Sequence, residues 1–205
     1  MFRERAFTIG LLAQVIFWMG QASFFLVFAL YVQQGYGLDA LHAGLIFTPV
    51  GAGYLATSLI PRYLARRLGR QTVAVGALIM AAGLAILLMT VAWVGVTGQI
   101  ALLIPALLID GAGMGMVIAP LASTVLARVT PRHAGAASGV LGTALQVGNA
   151  LGVALVGIIF YTSLGHAGGP TAYPRAFNLS LIFLVIIEIA VAVLIQLLPH
   201  DRARG

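Results

Sequence analysis

The 205-residue sequence contains no cysteine and no lysine, and it has only five acidic residues. Without cysteine there is no disulfide framework, no thiolate metal site and no cysteine nucleophile, although that absence leaves the redox compartment open. Charged residues make up 8% of the chain and hydrophobic residues 61%, too little polar surface to cover a soluble domain of this size. A formal charge of +6 would suit nucleic acid, but the basic residues are all arginines in short groups between long apolar runs. Membrane topology accounts for such a pattern better, and no nucleic-acid partner is expected. There is no His-Glu-x-x-His pair and no glycine-rich phosphate loop, so neither a metal nor a cofactor is expected.

What the chain does have is apolar length. A helix crossing the hydrocarbon core needs about 20 mainly apolar residues, because unpaired backbone groups cannot face lipid. Six segments qualify, at residues 6–32, 41–60, 71–94, 99–127, 135–161 and 177–198, the first to sixth spans. The first is too long for a signal-peptide core and no obvious cleavage site follows it, so it reads as a retained helix. The fold class is all-α, a polytopic membrane protein in which residues 1–205 form one six-helix transmembrane domain.

Assigning the connections alternately to two sides places Arg3, Arg5, Arg62, Arg66, Arg67, Arg70, Arg128, Arg132, Arg202 and Arg204 on one side and Arg175 on the other. This bias puts both termini in the cytoplasm and makes the number of spans even. Trp93 and Tyr161 fall near predicted outer ends, where aromatic rings rest among headgroups. Leu41-His42-Ala43-Gly44 opens the second span from outside and Arg132-His133-Ala134-Gly135 opens the fifth from inside. Equivalent positions running in opposite directions are what a 3+3 inverted repeat requires, and two small-residue helix starts would give the same echo.

Glycines are placed in pairs. Gly111 and Gly115, Gly135 and Gly139, and Gly148 and Gly152 are each four residues apart, so each pair lies on one helix face and is expected to let a neighbouring backbone approach closely. Pro49, Pro105 and Pro120 each remove a backbone donor within a span, which bends or loosens a helix. Asp110 and Glu188 are the acids deep within spans. Each costs roughly 2.5–3.5 kcal/mol to insert, which the surrounding Leu, Ile, Val and Phe offset. Insertion tolerates these acids without explaining them. A desolvated carboxyl favours its neutral form, the property needed in a group that takes up and releases protons. On the first span Gln14, Trp18, Gln21, Phe25 and Phe28 follow helical spacing, as do Ser138, Gly142, Gln146 and Asn149 on the fifth. Amides and rings of this kind line a pocket for an apolar or cationic molecule, or else serve core packing and interhelical hydrogen bonds. Asn178 and Gln196 lie within a quarter turn of Glu188 and suggest a polar packing seam. His42, His133, His166 and His200 fall near helix ends or in loops, away from any relay position within the membrane.

The short basic loop from Pro61 to Arg70, ending in Gly69-Arg70, resembles the second copy of the loop motif of the major facilitator superfamily, with Arg66 where that motif has an acid in its first copy. The order Gly111, Gly113, Gly115, Pro120, Pro131, Gly135-Ala136-Ala137-Ser138-Gly139, Gln146, Gly148, Gly152, Gly157 is similar to the C-terminal region of its fourteen-helix drug:proton antiporters, and Ala43-Gly44 with Pro49 agrees. The resemblance covers essentially the whole chain as that family's last six helices. It implies half of a major facilitator fold, with the first, second, fourth and fifth spans facing a central cavity. By that assignment Asp110 is the better candidate for proton coupling or cation binding and Glu188, on a peripheral helix, the lesser. Gln14, Trp18, Gln21, Gln146 and Asn149 would line the substrate cavity. The implied function is export of a small lipophilic or cationic substrate in exchange for protons, across a bacterial-type plasma (inner) membrane, with a missing N-terminal half as partner.

Two other classes bear on this reading. Ala136-Ala137-Ser138-Gly139 is similar to the Gly-x-Ser-Gly motif of six-helix rhomboid proteases, but their chemistry needs a histidine from the sixth span, and none lies between residues 177 and 198. No enzyme is expected. The other alternative is a non-transporting six-helix fragment or interaction partner of a membrane complex.

Overall fold

The computed structural model describes residues 5–59, 70–126, 130, 133–165, 169 and 172–197. Most of the basic loop, Pro131, Arg132, His166 and His200 lie outside the described residues, and the expectations resting on them are not addressed. The described residues form α1 (Arg5–Leu30), α2 (Ala40–Ile46), α3 (Thr48–Ser58), α4 (Gln71–Val94), α5 (Ile104–Leu126), α6 (Ala134–Leu164) and α7 (Ala172–Gln196). A π-helical turn, Tyr31–Gly35, extends α1, and a 3₁₀ turn, Ile100–Leu103, leads into α5. Among the described residues five helices are long and apolar enough to cross a membrane: Phe7–Gly35, Gln71–Val94, Ile100–Leu126, Ala134–Leu164 and Ala172–Gln196.

The second expected span is the pair α2 and α3. Pro49 has no N–H for the Leu45 carbonyl, so the helix tightens locally. Phe47 N donates to the Gly44 carbonyl at 3.1 Å and Val50 N to the Phe47 carbonyl at 3.1 Å. Phe47 keeps helical dihedrals (φ −79°, ψ −15°), so the interruption is one tight turn between two helical pieces. Asp39 caps α2 by accepting from His42 N at 2.8 Å.

Other boundaries shift for local reasons. Pro105 is the second residue of α5, where a missing N–H costs nothing, so it does not interrupt a span as expected. Pro120 does lie inside α5 and is buried. The last helix begins at Ala172, ahead of the expected residue 177, because Pro174 again falls in a first turn. Positive φ at Gly95 (59°) and Gly165 (67°) ends α4 and α6.

The principal packed pairs are α4 with α5, α1 with α6, α3 with α5, α4 with α7 and α1 with α7. Numbered by span these are third–fourth, first–fifth, second–fourth, third–sixth and first–sixth. Exchanging the first three spans with the last three turns first–fifth into fourth–second and third–fourth into sixth–first, so the pairs map onto one another as the inverted repeat requires. Glycine makes two of these contacts close. A Cβ at Gly111 would meet Val50, at 2.8 Å from its carbonyl carbon, and one at Gly148 would lie 2.5 Å from the Val15 carbonyl oxygen. Gly115 faces Tyr54 and Thr57, and Gly152 faces the Met19 backbone. The Thr57 hydroxyl adds a 2.7 Å bond to the Ala112 carbonyl across the same interface. Outward faces remain apolar, as on α4 (Leu78, Met89, Trp93) and α7 (Ile182, Ile186, Val193), which suits lipid.

Candidate functional site

Among the described residues the bundle interior contains two carboxyl groups. Asp110 on α5 is 3% exposed and Glu188 on α7 is 1% exposed. Both sit where a neighbouring helix has no side chain. A Cβ at Gly83 of α4 would lie 2.7 Å from Asp110 N, and one at Gly20 of α1 would lie 3.1 Å from Glu188 Oε1. Glu188 Oε2 is buried with no hydrogen-bond partner among the described residues. The described basic residues Arg70 and Arg175 and the histidines His42 and His133 stand at span ends, so none lies at the depth of the pair.

This arrangement differs from the sequence expectation in two respects. Asp110 was expected at the central cavity, whereas its side chain is buried within the half-bundle; Glu188, expected on a peripheral helix, points inward from it toward α1. Assigning whole helices to cavity or periphery does not fix which way a residue faces; Gly20 leaves room for the Glu188 carboxyl, and Gly83 lets the α5 backbone approach α4 at Asp110. The polar seam through Glu188 does not form either. Gln196 pairs with Gln71 through reciprocal amide bonds of 3.1 and 2.8 Å, and Asn178 lines a groove beside Arg175.

The two polar stripes separate by burial. Gln14 (6% exposed) and Gln21 (4%) are buried, and Trp18 is half-buried. Gln14 Oε1 and Trp18 Nε1 are buried without hydrogen-bond partners among the described residues. Phe28 belongs to the core and not to a pocket wall, stacking on Phe24 with ring centroids 5.6 Å apart and meeting Phe47 edge-on at 4.9 Å. Phe25 is exposed and also meets Phe47, at 5.6 Å. Phe24 and Phe47 were missed in the sequence because Phe47 marks the α2–α3 turn, which a continuous second span conceals. On α6, Gln146 is exposed and Asn149 half-buried. Among the described residues no hydrogen bond joins the α6 amides to those of α1.

Gly135 and Gly139 depart from the packing expectation. A Cβ at either would meet nothing within 4 Å, and the same holds for Gly142. Spacing of four defines a shared face, but only a neighbour occupying that face makes it an interface. Gly148 and Gly152, about a quarter to a third of a turn from Gly142, lie on the strip that α6 buries against α1.

The described helices form a lipid-facing bundle drawn together at glycines, with carboxyl and amide groups inside. Residues 2–205 match the sequence profile of the Major Facilitator Superfamily, and the chain belongs to that family. It is similar to the probable actinorhodin transporter of Streptomyces coelicolor, at 32% identity over 166 residues that cover 80% of this chain and 28% of that protein. It is also similar to puromycin resistance protein pur8 of Streptomyces alboniger, at 33% over 200 residues covering 91% and 39%. A third relative, the cephamycin export protein CmcT of Amycolatopsis lactamdurans, is 32% identical over 195 residues covering 93% and 38%. The chain thus spans less than half the length of these curated relatives.

Proposed function

We propose that this bundle forms one wall of an export pathway for small lipophilic or cationic molecules in a bacterial-type inner membrane, opposite a second, N-terminal bundle, and that export is exchanged for protons. The observation that carries this reading is the asymmetry of α6. One edge is packed through Gly148 and Gly152, while Gly135, Gly139, Gly142 and Gln146 face open space. An open strip of small and amide residues beside buried Gln14 and Gln21 suits a wall along which a substrate passes while one bundle rocks against another. Asp110 and Glu188, held inside the same bundle, are the proposed proton-binding groups. The names of the relatives, a transporter, a resistance protein and an export protein, support the substrate class.

Transport by the chain alone, and by the chain joined to the N-terminal helices of a major facilitator exporter, tests this. In vesicles with an imposed pH gradient, the chain alone is expected to move no lipophilic cation above background. Joined to the second bundle it should do so, and Gln146→Leu should weaken that movement. Gradient-driven transport by the 205-residue chain alone would refute the need for an opposite wall.

A further inference from the structure

Where α4 ends and α7 begins, the structure contains a groove of about 470 Å³ that the transport reading does not use. Arg175, Asn178, Leu179 and Ile182 of α7 line one side of it, and Val91 and Ala92 of α4 line the other. The α7 residues follow i, i+3, i+4, i+7 spacing and so form one stripe, charged and polar at the helix start and apolar below. Seven residues of helix separate Arg175 from Ile182, about 10 Å of depth. None of these lining residues is acidic. Arg175 is exposed, and Asn178 carries a buried Oδ1 without a hydrogen-bond partner among the described residues. The end of α4 is fixed from behind. The Tyr31 hydroxyl donates to the Gly95 carbonyl, and the Tyr31 ring stacks on Phe177 with centroids 4.5 Å apart.

We propose that this groove binds one anionic phospholipid with a hydroxyl-bearing headgroup, phosphatidylglycerol in chemical class. The Arg175 guanidinium donates to the phosphate, an interaction its planar fork suits. The Asn178 amide, half-buried at that level, donates its N–H to a headgroup hydroxyl oxygen, because its Oδ1 is enclosed by protein. One acyl chain runs down Leu179 and Ile182 against Val91 and Ala92. The gradient from cation to amide to aliphatic side chains matches the order of groups along such a lipid. A free anion would leave the apolar part of the groove without a role, and phosphatidylcholine, although it carries a phosphate, would set a quaternary ammonium against Arg175 and offer no hydroxyl to Asn178.

Trp93, 95% exposed and two residues from Val91, is a reporter beside the site. The sequence has two tryptophans, so Trp18→Phe in the full chain leaves Trp93 as the sole tryptophan, excited selectively at the red edge of its absorption. The protein is placed in phosphatidylcholine vesicles containing a minor fraction of dibrominated phosphatidylglycerol, or the same fraction of dibrominated phosphatidylcholine, and quenching of Trp93 is compared. Phosphatidylglycerol should be favoured about fivefold, the scale of one basic side chain near an anionic headgroup. Arg175→Gln should bring the two lipids level, Arg175→Lys should retain the preference, and Asn178→Leu should reduce it partway. Equal quenching by both lipids, or a preference that survives Arg175→Gln, overturns the proposal. So does a preference abolished by added inorganic phosphate, which would mean a simple anion site, and a preference untouched by Asn178→Leu removes the hydroxyl contact.

Discussion

Replacing Gly111 by alanine places a methyl group in the interface between α3 and α5. Its Cβ would lie 2.8 Å from the Val50 carbonyl carbon and 2.9 Å from Val50 Cα, with the carbonyl oxygen closer still, whereas ordinary contact starts at 3.4 Å. Backbone cannot rotate away as a side chain can, so α3 must retreat by at least 0.6 Å (3.4 − 2.8). That retreat also loosens the seats of Gly115 and Gly53 and the Thr57–Ala112 hydrogen bond in the same interface. Overpacking of this kind costs roughly 1–3 kcal/mol. Alanine also gains intrinsic helix propensity of roughly 1 kcal/mol over glycine, which would blur a single measurement. Gly139→Ala supplies the control, because it gains the same propensity at a site with nothing within 4 Å. The difference between the two variants isolates packing and should be about 1–3 kcal/mol, with Gly111→Ala the less stable. Reversible unfolding in mixed detergent micelles, followed by far-ultraviolet circular dichroism, measures it. If Gly111→Ala is as stable as Gly139→Ala, the glycine contacts are not what holds α3 to α5.

Further outcomes follow from the same geometry. Single cysteines near Gly37 and Val96 should react with an impermeant thiol reagent applied outside, and cysteines near Leu68 and Arg132 should not; the reverse pattern would invert the orientation. In the assembled transporter, Asp110→Asn should pack almost normally yet shift or abolish the proton dependence of export. Glu188→Gln should do likewise, because it removes the other buried carboxyl of the bundle; unchanged pH profiles for both would move coupling to the other bundle. The Asp39 carboxylate accepts from the His42 backbone N–H and pairs with its ring, which holds it below its ordinary value. Its capping of α2 is therefore complete above that ordinary value and lost as pH falls through the depressed one, so amide exchange in α2 should quicken in acid. Asp39→Ala should exchange quickly at every pH.

Much of the fold could be read from the sequence because lipid imposes a single strong rule, long apolar helices, and the chain obeys it in five places within the described residues. The second span was legible as a location but not in form, since a proline near its middle leaves hydropathy unchanged while removing one hydrogen bond. Helix faces were harder. Gly111 and Gly135 look alike in sequence, each paired four residues on, yet one is pressed against Val50 and the other is open. Asp110 and Glu188 were visible as costly mid-span acids, but their burial inside the bundle depends on the rotation of α5 and α7, which no local spacing encodes.

The turn at Phe47 also divides the second span mechanically. Below it, α3 is locked to α5 by Gly53, Gly111 and Gly115 with almost no clearance. Above it, α2 leaves Leu41 70% exposed and Leu45 58% exposed, with few neighbours to restrain it. With one backbone hydrogen bond absent at the joint, a small rotation about Phe47 swings the seven residues Ala40–Ile46 while the lower piece stays fixed. A bend of this span would therefore fall at Phe47, displacing the α2 piece and leaving α3 seated on α5.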